Sequence, residues 1–266
     1  MTPWLRQIII RIDDGSGTAR EIKGLDVGVK VSASTSSTPQ TAKVTLYNPS
    51  PATIDACRAG ATVDIFVGYE APVLLFRGAR VPDGVKVERK PPDRQLSIDL
   101  ADGGDTYRAS TVAQSFLKPV SLDMILSDGL RQLGMGTAIR APNGHRQLPT
   151  FYFSGAARDW ITRLSNLAGM DLFFRDGDLI GTITGETTPG QGLLISAAAG
   201  NLVGSPTLKE EGAIEVTALL APILRPGASV RVESAEVTGN YRADSVEVDA
   251  TTDGVPFYMK LLLSPA

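Results

Sequence analysis

Gly60-Ala61-Thr62-Val63-Asp64-Ile65 recurs in the last third of the chain as Gly227-Ala228-Ser229-Val230-Arg231-Val232. In both copies a turn glycine launches a run whose alternate residues are β-branched, the pattern of a strand with one face toward a core. The likeness extends on either side. Val44-Thr45-Leu46-Tyr47-Asn48-Pro49 upstream of the first copy resembles Val216-Thr217-Ala218, followed by Pro222, upstream of the second. Downstream, Phe76-Arg77-Gly78-Ala79-Arg80-Val81 resembles Tyr241-Arg242-Ala243-Asp244-Ser245-Val246. The shared motifs and their similar spacing predict an internal duplication of a β-rich unit.

Around the first copy the chain keeps a period of two in short pieces. Ile8, Ile10 and Ile12 alternate before the turn Asp13-Asp14-Gly15-Ser16-Gly17, and Val27, Val29 and Val31 before a Ser/Thr-rich stretch, 32–38. Val44 and Leu46 end at Asn48-Pro49-Ser50-Pro51, after which Thr53–Arg58 suits one or two helical turns. Val63, Ile65 and Val67, then Leu75-Phe76, Val85 with Val87, and Leu96, Ile98 and Leu100 complete the set before Asp102-Gly103-Gly104-Asp105. Some seven short strands cut by turns imply a sandwich or barrel over residues 1–105.

Residues 106–187 read differently. Ser121 caps a helix carrying Leu122, Ile125, Leu126, Leu130 and Leu133 at helical spacing, with Gly134 as the stop. A second helix is expected with Ser154 as its cap and Ala157, Trp160, Ile161, Leu164 and Leu167 inward, ending at Gly169. Leu172-Phe173-Phe174 and Leu179-Ile180 flank Arg175-Asp176-Gly177-Asp178, a hairpin on an Asp-Gly turn. From 188 to 266 the period of two returns at Leu193/Ile195, Ile214/Val216, Val230/Val232 and Val246/Val248. The expected fold is mainly β with an α+β insert. Two similar β-barrel domains, 1–105 and 188–266, flank a small two-helix plus hairpin domain, 106–187.

Composition narrows the function classes. The 266 residues carry 26 Lys and Arg against 29 acids, a net charge of −3, which argues against a dedicated nucleic-acid binder. The single cysteine, Cys57, excludes an internal disulfide framework and a Cys-rich zinc site, and reads as a small apolar core residue. No apolar run reaches the length of a membrane span, and the amino terminus carries no signal-peptide h-region.

Chemistry-bearing patterns are sparse. There is no G-x-S-x-G elbow, phosphate-binding loop, H-E-x-x-H or dinucleotide fingerprint. Gly15-Ser16-Gly17 and Gly103-Gly104 fall between strands and read as turns. The acid pairs Asp13-Asp14 and Asp102 with Asp105 lack the spacing of a calcium loop and suit turn chemistry. His145 sits in a Pro/Gly loop, and the basic stretch Lys86–Arg94 is broken by Glu88, Pro91-Pro92 and Asp93. Trp160, Phe173 and Phe174 read as core. No catalytic, cofactor-binding or metal site is expected.

The series as a whole resembles the phage baseplate hub protein family, the tail hub of contractile or related phage tails. It includes Tyr47-Asn48-Pro49-Ser50-Pro51, Gly60-Ala61-Thr62-Val63, Val67-Gly68-Tyr69, Leu75-Phe76-Arg77-Gly78 and Trp160-Ile161-Thr162-Arg163-Leu164. Gly200-Asn201-Leu202-Val203-Gly204-Ser205-Pro206, Leu220-Ala221-Pro222, Pro226-Gly227 and Gly239-Asn240-Tyr241-Arg242 continue it in the family's order. Ala221 and Pro49 depart from the family pattern.

The resemblance implies two tube-type barrels per chain and a homotrimer forming a pseudo-six-fold ring in the virion's tail baseplate. Such a ring adapts a hexameric tail tube, or distal tube proteins, to a trimeric central spike beside other baseplate proteins. The resemblance further implies that DNA passes through without specific binding, and that the protein is made in the bacterial host cytoplasm with no direct membrane anchoring and no enzymatic activity. Competing expectations are a β-rich receptor- or carbohydrate-binding tail module, and a cell-wall hydrolase using Asp102 and Asp105.

Overall fold

The computed structural model describes residues 6–13, 19–60, 62–102, 109–135, 142–190, 192–254 and 256–266. The chain is mainly β and built on one large antiparallel sheet. Its first part holds β1 (Arg6–Asp13), β2 (Ala19–Ile22), β3 (Val27–Ser34), β4 (Thr41–Tyr47), α1 (Pro51–Ala59), β5 (Thr62–Tyr69), β6 (Val73–Lys90) and β7 (Asp93–Ala101). Alternation sets these strands: Val27, Val29 and Val31 of β3 and Val44 and Leu46 of β4 are buried, while Lys30 and Lys43 between them point to solvent. α1 starts where Ser50 accepts a hydrogen bond from the Thr53 amide at 3.2 Å, with Pro51 in the first turn.

The middle part holds β8 (Thr111–Phe116), β9 (Val120–Ser121), α2 (Leu122–Gln132), β10 (Gln147–Leu148), β11 (Phe151–Ala156), α3 (Ala157–Ala168), β12 (Met170–Arg175) and β13 (Asp178–Ile183). Ser121 caps α2, accepting from the Met124 amide at 3.3 Å. Ser154 does not cap α3. It lies in β11, paired with Ala113 of β8, and Ala156 takes the cap position without a side-chain bond. Strand pairing claims Ser154 because Thr111–Phe116 supplies a full antiparallel partner, which local helix signals do not reveal. The β12–β13 hairpin turns at Asp176 and Gly177, whose φ of 56° and 96° are the two positive values such a two-residue turn needs. Trp160, fully buried, packs with Leu126, Leu133 and Leu164 in a cluster separate from that of the large sheet.

The last part holds β14 (Leu193–Ser196), β15 (Leu202–Leu208), β16 (Ile214–Leu219), β17 (Ser229–Glu233), β18 (Thr238–Thr251) and β19 (Phe257–Pro265). Six of its strands pair in the order β15-β16-β19-β18-β17-β14. The first part repeats that order as β3-β4-β7-β6-β5-β1. Each copy interrupts its long strand at a matching place, between Arg80 and Val85 against β7 and between Ala243 and Ser245 against β19. The copies differ at one end, where β1 runs antiparallel to β5 but β14 runs parallel to β17.

Pairing also shifts the sequence alignment of the repeat by two residues. Asp64 faces Arg77 and Arg231 faces Asn240, so Asn240 is the counterpart of Arg77, and Ala79 that of Arg242. A slip of two keeps every side chain on its face, so the hydrophobic pattern alone does not expose it. Val63 and Val230 are both buried in one continuous cluster. Between the two parts, β3 pairs antiparallel with the second half of β18, from Ser245↔Ser34 to Thr251↔Gly28, and this joint makes the sheet continuous.

Candidate functional site

The outward face of the sheet at this joint carries an ordered polar arrangement. A single row of directly opposed residues crosses five strands: Tyr258 on β19, Asp249 on β18, Lys30 on β3, Lys43 on β4 and Asp99 on β7. Lys30 Nζ lies 3.0 Å from Asp249 and Lys43 Nζ 3.9 Å from Asp99. The next row, Thr217–Lys260–Glu247–Ser32–Thr41, repeats the theme without apolar members. Lys260 Nζ also sits 3.2 Å from Glu215, and Lys209 3.4 Å from the same carboxylate. Those two lysines hold the Glu215 carboxyl below its ordinary range, the Lys260 hydrogen bond being the larger cause.

The surface these rows line is hollowed into a groove of about 630 Å³. Lys30, Lys43 and Lys260 are matched there by Asp249, Asp99 and Glu247, so the groove is close to electrically neutral. Surface pairs of this kind add little to stability, of the order of ~0.5 kcal/mol each. Their effect is on the field, which they cancel locally. Sequence reading did not single out Lys30, Lys43, Asp99, Asp249 or Lys260. The signal was their place between buried strand residues, as in Val29-Lys30-Val31.

The residues the sequence did single out are dispersed. Asp102 is 1% exposed and accepts a hydrogen bond from the Gly177 amide at 2.7 Å, which fixes the β12–β13 turn against the sheet. Asp105, Gly103-Gly104, Asp14 and Gly15-Ser16-Gly17 lie outside the described residues. His145 is exposed in a turn. Cys57 is buried in α1, and burial pushes its thiol up to about 11 against a smaller opposing pull from Arg20. Lys86–Arg94 forms the β6–β7 hairpin end, with Lys90 opposite Asp93. Trp160 donates its Nε1 hydrogen to Gln114 at 2.8 Å, and Gln114 in turn donates to the Ile125 carbonyl and to Asp128. Among the described residues no group of three or more His, Cys, Asp or Glu could hold a metal ion. No helix among them is long and apolar enough to cross a membrane.

Arg242, buried, and Arg225, partly buried, tie the middle part to both β parts. Arg242 lies 2.6 Å from Asp171 of β12 and 2.7 Å from Asp244. Burial works against its charge, but the Asp171 hydrogen bond and the Asp244 charge outweigh it and raise its pKa. Arg225 donates to the Leu74 and Leu75 carbonyls of β6 and lies 3.6 Å from Asp176. Gln40 donates to the Phe174 carbonyl.

Neither a protein-family model nor a curated protein sequence matches this chain. Solved structures do. The 43 kDa tail protein of prophage MuSo2 from Shewanella oneidensis superposes with a TM-score of 0.72 at 10% identity, over 98% of this chain and 97% of that one. A tail protein from Neisseria meningitidis MC58 gives 0.69 at 12% identity, over 97% and 96%. The E. coli c3393 protein gives 0.68 at 12% identity, over 97% of this chain and 76% of its own. It is described as a type VI secretion component with structural similarity to the T4 phage tail proteins gp27 and gp5.

Proposed function

We propose that this chain, which has the fold of those phage tail proteins, is a structural hub protein of a phage or phage-like tail baseplate. In this reading residues 1–105 and 188–266 are two tube-type barrels and 106–187 a separate α+β domain. Three chains close into a ring of six similar units, with a hexameric tube on one side and a trimeric spike on the other. The observation that carries the reading is one strand order built twice in a single chain and joined edge to edge. A chain with two equivalent units matches a six-fold partner with three copies and a three-fold partner one to one.

The grooved, charge-paired sheet face then lines the passage. Each phosphate neutralised by a lysine adds affinity, so a lining whose lysines already face carboxylates lets DNA slide without holding it. The chain has no catalytic task here, and Asp102 serves the docking of the β12–β13 turn. Electron microscopy of the chain co-purified with its spike partner tests the reading. A closed ring of three chains with six similar lobes is the expected result. A stable dimer, or one chain per trimeric spike, overturns it.

A further inference from the structure

The outer edges of β14 and β8 face no strand among the described residues, and each is met instead by a side-chain carboxamide. In the first copy of the repeat the strand that corresponds to β14 is β1, and β2 lies along its outer edge. β14 pairs with β17 alone, and Asn201 lies where that second strand would be. Asn201 Nδ2 donates to the Leu194 carbonyl at 2.7 Å, and its Oδ1 accepts from the Ser196 amide at 2.9 Å. Those are the two backbone groups that one residue of a parallel neighbour would engage. The turn at 197–200, in which the Gly200 amide donates to the Ala197 carbonyl and Gly200 has φ 69°, brings the chain back beside β14. The Leu219 amide then donates to the Asn201 carbonyl at 2.8 Å and anchors its backbone to β16.

β8 pairs only with β11, and Gln132 of α2 meets its other edge. Gln132 Oε1 accepts from the Ala113 amide and its Nε2 donates to the Ala113 carbonyl, both at 3.0 Å. One residue of an antiparallel neighbour makes that same pair of bonds. Gln132 Nε2 also donates to Asp128 at 2.9 Å, and Asp128 accepts from Gln114, which holds the Trp160 indole. A hydrogen-bonded chain therefore runs from the buried core of the middle part to the edge of β8, and it fixes the carboxamide's orientation in advance.

We infer that Asn201 and Gln132 are edge plugs, carboxamides that stand in for a strand residue and keep extended segments of other chains from adding to β14 and β8. A carboxamide carries the same N–H donor and C=O acceptor as a peptide group, so it satisfies an edge without extending it. An open edge is a template for strand addition, whereas a plugged one forces the incoming strand to break two bonds for each pair it makes. One plug suffices on strands this short. β14 has four residues and β8 has six, and only alternate residues turn their backbone groups to the edge. Leu194, 43% exposed, would otherwise give an apolar segment a second reason to settle there. The inference is independent of the ring reading, because it concerns edges that the ring does not use.

The test follows the size distribution of the full chain by sedimentation velocity, at a concentration where the parent's distribution stays constant. Asn201→Ala and Gln132→Ala should each put at least about fivefold more protein into species larger than any the parent forms. A second change separates strand addition from lost stability. Leu194→Pro added to Asn201→Ala, and Ala113→Pro added to Gln132→Ala, remove an amide hydrogen that faces the edge, a change edge strands tolerate. The excess should then return to the parent's level. Where a proline variant does not melt cooperatively, Leu194→Lys or Ala113→Lys takes its place by setting a charge on the edge strand. No excess in either alanine variant overturns the inference, because the edges are then shut without the carboxamides. An excess that the edge changes leave in place also overturns it, since unfolded chain is then the source. An excess in one variant alone, removed by its edge change, upholds that plug and overturns the other.

Discussion

The second half of β18 and the second half of β6 occupy the same place in the same strand order, yet one is buried and the other lies open. Val246, Val248 and Ala250 are core residues because β3 lies alongside. Val85, Val87 and Arg89 have the corresponding partner on one side, β7 in place of β19, and no strand among the described residues on the other. The contrast teaches that alternation assigns a strand its inward face, while the strand's flank is decided by whichever neighbour arrives.

The most severe way to probe this contrast is a buried charge. Val248→Asp should cost more than about 4 kcal/mol, because an unpaired carboxylate is forced into the joint. Val87→Asp, its counterpart, should shift the stability of the isolated chain by no more than about 0.5 kcal/mol. Denaturant melts of the two variants check both, and equal losses would erase the distinction.

Trp160→Ala asks whether the contrast concerns the sheet alone. It should cost about 3–5 kcal/mol, since the ring is fully buried and its Nε1–H holds Gln114. The two clusters share no residue, so hydrogen exchange should lose protection in α2 and α3 before β3 and β18. Simultaneous loss everywhere would mean that the middle part and the sheet fold as one unit.

Arg242→Ala compares the two copies at a place where they differ outright, since the counterpart is Ala79. Losing the cation that Asp171 and Asp244 share should cost about 2–3 kcal/mol, reduced from a fully buried pair because both carboxylates keep some contact with water. The loosening should be seen as faster exchange in β12. Unchanged exchange there would show that Arg225 and Gln40 hold the middle part unaided.

Lys30→Gln should be the mildest, within about 0.5 kcal/mol, because Lys30 and Asp249 are both substantially exposed. A larger drop in denaturant midpoint would mean that the polar row holds the joint together as well as cancelling charge.

Much of the local structure was legible in the sequence, because its causes are local. Period-two runs placed the inward residues of β1, β3–β5, β7, β16 and β17. Ser121 and helical spacing placed α2, and Asp176-Gly177 placed the β12–β13 turn. The repeated Gly-Ala-Thr/Ser-Val motif pointed to the twofold strand order through its equal inward faces, although Gly60 ends α1 at φ −60° and Gly227 turns at φ 83°. The fold match to phage tail proteins agrees with the resemblance those motifs carried. Other features waited for the tertiary structure. These were β15 and β19, the β8–β11 pair that takes Ser154 from its expected cap, the full length of β6, the two-residue slip in the repeat, and the polar row from Tyr258 to Asp99. All depend on which backbone edge meets which. Edges bond through N–H and C=O groups that nearly every residue carries alike, so the side-chain order leaves the choice of partner unmarked until the chain has packed.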